Sequence, residues 1–276
     1  MTAQTSFKEQ VMSTCKMGFA IMALQTPIVH PLNRMSVIGS DRGYSFYQSL
    51  HAIFKGTIDK QQPSLLHLYR GISGHVAKEV SRLMFKPLGA LFKPKIDETF
   101  PLNPIKAAAV FAGIMAIMEM MINPFDTIRV RLQKGEPLSS LYPRPIKQLY
   151  AGSMGNGVRQ FGTWGIFYLS GSHLDKLFRD QLNLDTQSIE GLIMKSCVQA
   201  TLLTSVVYPL FERLKNELQC NPALLQETTP YKAAFRQILQ IKGPYGLLHG
   251  IAAKILSNAI LTIGFNGLIE ISRPAK

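Results

Sequence analysis

"PFDTIRVRLQ", Pro124 to Gln133, places a proline, an acid, two arginines and a glutamine at the end of one of the most apolar stretches in the chain. Proline lacks an N–H and kinks a helix that runs through it. Asp126 and Arg129, three residues apart, fall on one face of the helix that follows. The stretch therefore reads as a charged pair at the mouth of a bent apolar helix. Working outward, apolar stretches recur at 17–29, 72–92, 107–122, 157–171, 196–211 and 255–271. Each is broken by Gln, Thr, Ser, Asn or an occasional charge, so none is a clean run of roughly eighteen apolar residues. Such helices can cross a bilayer only where their polar positions face one another rather than lipid. The expected fold is an all-α membrane protein: six tilted transmembrane helices around a polar interior, with both termini on the same side.

Composition agrees with that leaning. Apolar residues make up 46% of the 276 and charged residues only 17%, below the quarter typical of soluble domains. Lys plus Arg number 30 against 17 Asp plus Glu, a net charge of +13 that calls for an anionic partner. Many of the bases interrupt apolar spans instead of lining a soluble face with interleaved aromatics, which argues against a nucleic-acid-binding protein. Cys15, Cys197 and Cys220 are odd in number and lack metal or disulfide spacing. The six histidines are scattered, so no metal is expected. With no Gly-rich phosphate loop, paired carboxylates or nucleophile constellation, nothing marks an enzyme. The first ten residues lack the pattern of a secretory signal or transit peptide, so any address is expected to be internal.

The chain repeats itself. "LYRG" ends at Gly71, "LYAG" at Gly152 and "LLHG" at Gly250, while Pro31, Pro124 and Pro209 recur at nearly equal intervals. Two independent markers imply three copies of a two-helix unit, at 1–100, 101–185 and 186–276, with a short helix inside each and part of it missing from the middle copy.

These features resemble the mitochondrial carrier family, whose threefold repeat carries P-x-[DE]-x-x-[KR]-x-[KR]-x-Q at the end of each odd-numbered helix. Pro124 to Gln133 matches at every specified position. The resemblance implies that acid and base from neighbouring odd helices form a ring of salt bridges closing the matrix side, to which Asp126, Arg129 and Gln133 would belong. The other copies are degenerate. "PLNRMSVI" has Asn33 in place of the acid and Ser36 and Ile38 in place of bases, with Arg34 as a stand-in. "PLFERLKNELQ" carries one extra residue, so Glu212 and Lys215 fit after a one-place shift. Asp126–Lys215 is the one bridge expected; Asn33 with Arg129 and Glu212 with Ser36 would supply weaker hydrogen bonds. A gate so thin implies net transport as well as exchange. A second family ring, on the opposite face, is matched only by Glu270 and Arg273; the equivalent places are Leu91 and Pro94, and Ser172 and Asp175, with Lys93, Lys95 and Lys176 nearby.

The resemblance also implies phosphate binding at helix starts beside Gly71, Gly152 and Gly250, where free N–H groups and the helix dipole attract anions. The expected lipid there is cardiolipin; no other cofactor is expected. Substrate contacts would lie seven residues past those glycines, at Lys78, Arg159 and Ser257, joined by Arg82, Gln160, Lys195 and Lys254. Counted with Lys16, the six bases of these spans face only Glu79 and Glu119 within the same spans. That excess suggests a substrate with several negative charges. A nucleotide such as ATP or ADP is favoured narrowly. Arg159–Gln160 resembles the pair found in keto-acid and carboxylate carriers, which keeps a di- or tricarboxylate as the alternative, and Trp164 reads as packing or an interfacial anchor before a platform for a base. The expected protein is a monomeric antiporter of the mitochondrial inner membrane. Its degenerate repeats fit a divergent member, of the kind an intracellular bacterium delivers to host mitochondria.

Overall fold

In a computed structural model, residues 7–59, 62–137, 139, 145–185 and 188–272 are described. Among them the chain is all-helical, 83% helix with no strands. Eleven α-helices run in order: α1 (Phe7–Arg42), α2 (Phe46–Phe54), α3 (Ile72–Thr99), α4 (Pro104–Met121), α5 (Asn123–Gln133), α6 (Ile146–Leu149), α7 (Ser153–Leu182), α8 (Ile189–Val207), α9 (Arg213–Cys220), α10 (Pro230–Lys242) and α11 (Ile251–Ser272). The long helices pack in a closed cycle: α1 on α3, α3 on α4, α4 on α7, α7 on α8, α8 on α11, and α11 back on α1.

The three marker prolines act differently. Pro31, with Pro27, sits inside the unbroken α1. Pro124 lies in the first turn of α5, where its missing N–H costs nothing, and divides α5 from α4 at Ile122. Pro209 lies in a π-turn, Tyr208–Glu212, between α8 and α9, which meet at 53°. That turn accounts for the extra residue in the third motif. A π-turn closes with i→i+5 bonds and holds one residue more than an α-turn, so the insertion is absorbed locally and Lys215 and Gln219 keep the register of Arg129 and Gln133.

The glycine starts fix how the cycle closes. Gly71, Gly152 and Gly250 each adopt a left-handed conformation (φ 83, 72 and 81°) that side chains resist. Each lies hard against the motif of the next odd helix. A Cβ on Gly152 would come within 2.8 Å of the Lys215 carbonyl oxygen, and one on Gly71 within 3.2 Å of the Arg129 carbonyl oxygen. A Cβ on Gly250 would collide with the carbonyl of Ser36. Arg129, Lys215 and Ser36 are the equivalent motif positions, so the same close approach occurs three times.

Apolar clusters hold the short helices against the ends of the odd ones. Ile53 of α2 packs with Leu32, Met35 and Ile38 of α1 and Ala253 of α11. Ala234 and Ile238 of α10 pack with Leu214 and Leu218 of α9. Six spans were expected, but among the described residues two segments, Pro104–Met121 and Pro244–Ile263, are long and apolar enough to cross a membrane, or three if the bent pair from Ile189 to Cys220 counts as one. The shortfall has a composition cause: α3 alone carries Lys78, Glu79 and Arg82 within two turns.

Candidate functional site

Asp126 lies at the centre of the cycle, where α3, α5 and α9 meet, with its side chain fully buried. Its Oδ1 accepts from Lys78 Nζ at 2.5 Å and lies 2.9 Å from Arg129 Nη2, while its Oδ2 accepts from Lys215 Nζ at 2.8 Å. One carboxylate thus faces three cations from three helices. Lys215 also donates to Glu212 Oε1 at 3.0 Å. Glu212 Oε2 in turn lies 2.8 Å from Arg159 Nε, and Arg159 is oriented by Asn156 Oδ1 at 3.0 Å. Nearer α4, Arg82 bonds Glu119 through both carboxylate oxygens at 2.6 and 3.0 Å, and Glu79 at 2.5 Å. On the remaining side, Asn33 Oδ1 accepts from Lys254 Nζ at 3.1 Å and from Ser257 Oγ at 3.2 Å.

A rule emerges from these contacts. The residue seven places after each glycine start touches the acid position of the neighbouring odd-helix motif: Lys78 with Asp126, Arg159 with Glu212, and Ser257 with Asn33. Even the pair that has lost both charges keeps the contact as a neutral hydrogen bond. Gln160 is buried beside Arg159 on α7.

The expected bridge between Asp126 and Lys215 is formed. The two weaker contacts expected beside it are not, because their residues have found other partners. Arg129 reaches Asp126 of its own helix, and Ser36 reaches the hydroxyl of Tyr208 at 2.7 Å. Nor is the excess of bases what counting within the spans suggested. Asp126 and Glu212 enter from α5 and the π-turn, and Lys195 pairs with Asp175 at 2.6 Å away from the central group. Lys16 is exposed. Among the described residues the central cluster holds six bases, Lys78, Arg82, Arg129, Arg159, Lys215 and Lys254, against four carboxylates, Glu79, Glu119, Asp126 and Glu212. By residue type the cluster thus holds two more bases than acids. Of the second ring, Arg273 and the side chain of Glu270 lie outside the described residues.

Contacts beyond the cluster tie the odd helices together farther along, and residue types alone gave no sign of them. The buried Arg34 guanidinium forks onto both oxygens of Asp59 at 2.8 and 3.0 Å and donates to the Gln133 carbonyl at 3.0 Å. Arg70 joins the same carboxylate at 2.8 Å and reaches the Gly135 carbonyl at 2.7 Å, with His67 3.3 Å from the other oxygen. Arg131 donates to the Gln219 carbonyl at 2.7 Å, and Lys134 pairs with Asp41 at 2.7 Å. Cations thus meet the last carbonyls of α5 and α9, where the helix dipole favours them. Lys242 of α10 does the same for α1 through the Ser40 carbonyl at 2.8 Å, and burial, helped by the nearby Arg213, pushes its pKa down to about 8.

No metal-binding cluster of three or more side chains occurs among the described residues. No protein-family model matches the chain, and no curated protein sequence does either.

Proposed function

We propose that this chain is a carrier-type transporter that moves a small anionic metabolite across the mitochondrial inner membrane by alternating access, with α1, α3, α4–α5, α7, α8–α9 and α11 as six tilted spans. One observation carries this reading: the contact position of each even-numbered span is bonded to the acid position of the next odd-helix motif, at Lys78–Asp126, Arg159–Glu212 and, as a neutral pair, Ser257–Asn33. An incoming anion engages Lys78 and Arg159 only by displacing those carboxylates, and Asp126 provides the ion pair that joins α5 to α9 through Lys215. Binding and unlocking become one event, as required of a ligand that shifts a two-state equilibrium through its differential affinity. Charges buried among helices are costly and default to a functional role. Cardiolipin phosphates at the starts of α3, α7 and α11 and a monomeric, cofactor-free protein complete the proposal.

The substrate follows from the charge balance. A formal surplus of two bases suits a dianion such as a dicarboxylate, with or without a keto group. A nucleoside di- or triphosphate would bring more negative charge than the cluster can match with Asp126 and Glu212 ionised, so the carboxylate reading gains on the nucleotide one. Uptake of labelled malate, oxoglutarate, ADP and ATP into liposomes containing the purified chain tests both. Saturable uptake competed by carboxylates favours the dianion, competition by nucleotides restores the alternative, and no uptake of any anion overturns the transporter.

A further inference from the structure

The seam between α9 and α1 is one of two that lack their motif ion pair, the other being that between α1 and α5, which Arg34 bridges through the Gln133 carbonyl. The acid of the α9–α1 seam, Glu212, has turned to Lys215 and Arg159, and Ser36 stands where a base would answer it. Yet the seam is closed by hydroxyls. Tyr208, 3% exposed at the head of the π-turn, brings its hydroxyl to 2.7 Å from Ser36 Oγ and 3.1 Å from Ser40 Oγ, and Ser40 Oγ donates to the His249 carbonyl at 3.0 Å. The inserted residue and the tyrosine belong to one device: the π-turn that absorbs the insertion begins at Tyr208, and two serines one α-turn apart on α1 receive it.

We propose, building on the transporter reading, that Tyr208 is the gate-closing residue of this seam, replacing the missing ion pair between Glu212 and position 36. A neutral hydroxyl bond avoids the desolvation of a buried ion pair and releases Glu212 to hold Arg159 at the substrate position. The third motif is therefore rebuilt: gating has passed from its acid to the tyrosine four residues earlier, and the acid has joined the binding cluster.

The test uses the full chain in liposomes without internal substrate, reading net uptake of labelled malate and ADP. Tyr208→Phe removes the hydroxyl alone and is expected to raise net uptake roughly two- to tenfold, the factor set by one hydrogen bond's net contribution. Adding Ser36→Lys in that background offers Glu212 a base across the seam and is expected to bring uptake back towards the original level, a rescue that a merely structural role would not produce. If Tyr208→Phe fails to fold, the Ser36→Ala, Ser40→Ala pair removes the same bonds from the α1 side and is expected to give the same rise. Unchanged uptake, or a rise that Ser36→Lys leaves in place, overturns the assignment. Should the unaltered chain take up neither anion, the transporter reading fails, and the latch is then decided by unfolding temperatures: Tyr208→Phe and Ser36→Ala must be non-additive, and simple additivity refutes it.

Discussion

Asp126→Asn is the sharpest perturbation the structure offers, because it keeps the shape of the side chain and removes one charge from among three cations. Lys78, Arg129 and Lys215 lie 2.5, 2.9 and 2.8 Å from its oxygens, and the carboxylate has no exposure to solvent. Breaking a buried ion pair leaves an uncompensated charge and costs about 3–5 kcal/mol. Lys215 keeps Glu212, and the amide oxygen still accepts one hydrogen bond, so the three losses do not add; about 4 kcal/mol is expected. For a chain of this size that corresponds to a fall in unfolding temperature of roughly 8–16 °C. The assay is thermal unfolding in detergent, followed by the emission of the single tryptophan, Trp164. A second variant makes the cause visible. Asp126→Asn with Lys78→Met removes one of the stranded cations and should regain part of the loss, although Lys78→Met alone destabilises. A fall below about 2 °C for Asp126→Asn, or strict additivity in the pair, would refute the reasoning that Asp126 is the electrostatic centre of the bundle.

Arg159→Ala should lower anion uptake roughly tenfold or more, and Arg159→Lys should recover little, because the guanidinium offers a planar fork that an ammonium lacks; near-normal uptake with lysine removes Arg159 from the site. Gly152→Ala should destabilise by about 2–4 kcal/mol, combining left-handed strain with a clash on Lys215, whereas Gly113→Ala, with nothing within 4 Å of its new Cβ, should be neutral or stabilising by about 1 kcal/mol; unfolding temperatures of the two variants check both signs. Lys242, with its folded pKa lowered to about 8, gives up a proton that the unfolded chain keeps until its ordinary range near 10.4. Stability should therefore rise with pH between those values, and Lys242→Met should flatten that rise. Removing cardiolipin should lower the unfolding temperature by several degrees if phosphates cap the starts of α3, α7 and α11; an unchanged transition counts against lipid at those glycines.

What could be read from the sequence was whatever is local or repeated. The motif at Pro124 is contiguous, so its acid and base were visible together, and the three glycines announced themselves by recurrence. The one-residue shift needed to align Glu212 and Lys215 was legible too, but its meaning as a π-turn needed coordinates. What escaped were partners brought together from far along the chain. Tyr208 and Ser36 are 172 residues apart, and neither belongs to a residue type that advertises a gate. Arg34 was noticed as a stand-in, but its carboxylate, Asp59, lies in a loop with no pattern to flag it. The overcount of free bases has the same origin: charge was balanced span by span, whereas Lys78, Arg159 and Lys195 each find their acid on a neighbouring element. The expected count of six spans outran the two or three apolar enough among the described residues, since α3 and α7 carry charges whose partners lie on other elements.

The knot around Asp59 bears on how the molecule can move. Arg34 pins the C-terminal part of α1 to Asp59 and to the last residue of α5, and Arg70 pins the same carboxylate to the backbone just beyond α5. Three stretches of chain are riveted at one point, where the side chains of Arg34 and Asp59 are fully buried. Mechanically this corner is a bracket: the ends of α1 and α5 and the entry to α3 travel as one piece. The compliant joints are then the break at Ile122 ahead of Pro124 and the 53° elbow at Tyr208–Glu212. A swing that opens the bundle on this side is thus expected to be lopsided, with α8–α9 peeling away from the bracketed ends of α1 and α5 and the entry to α3.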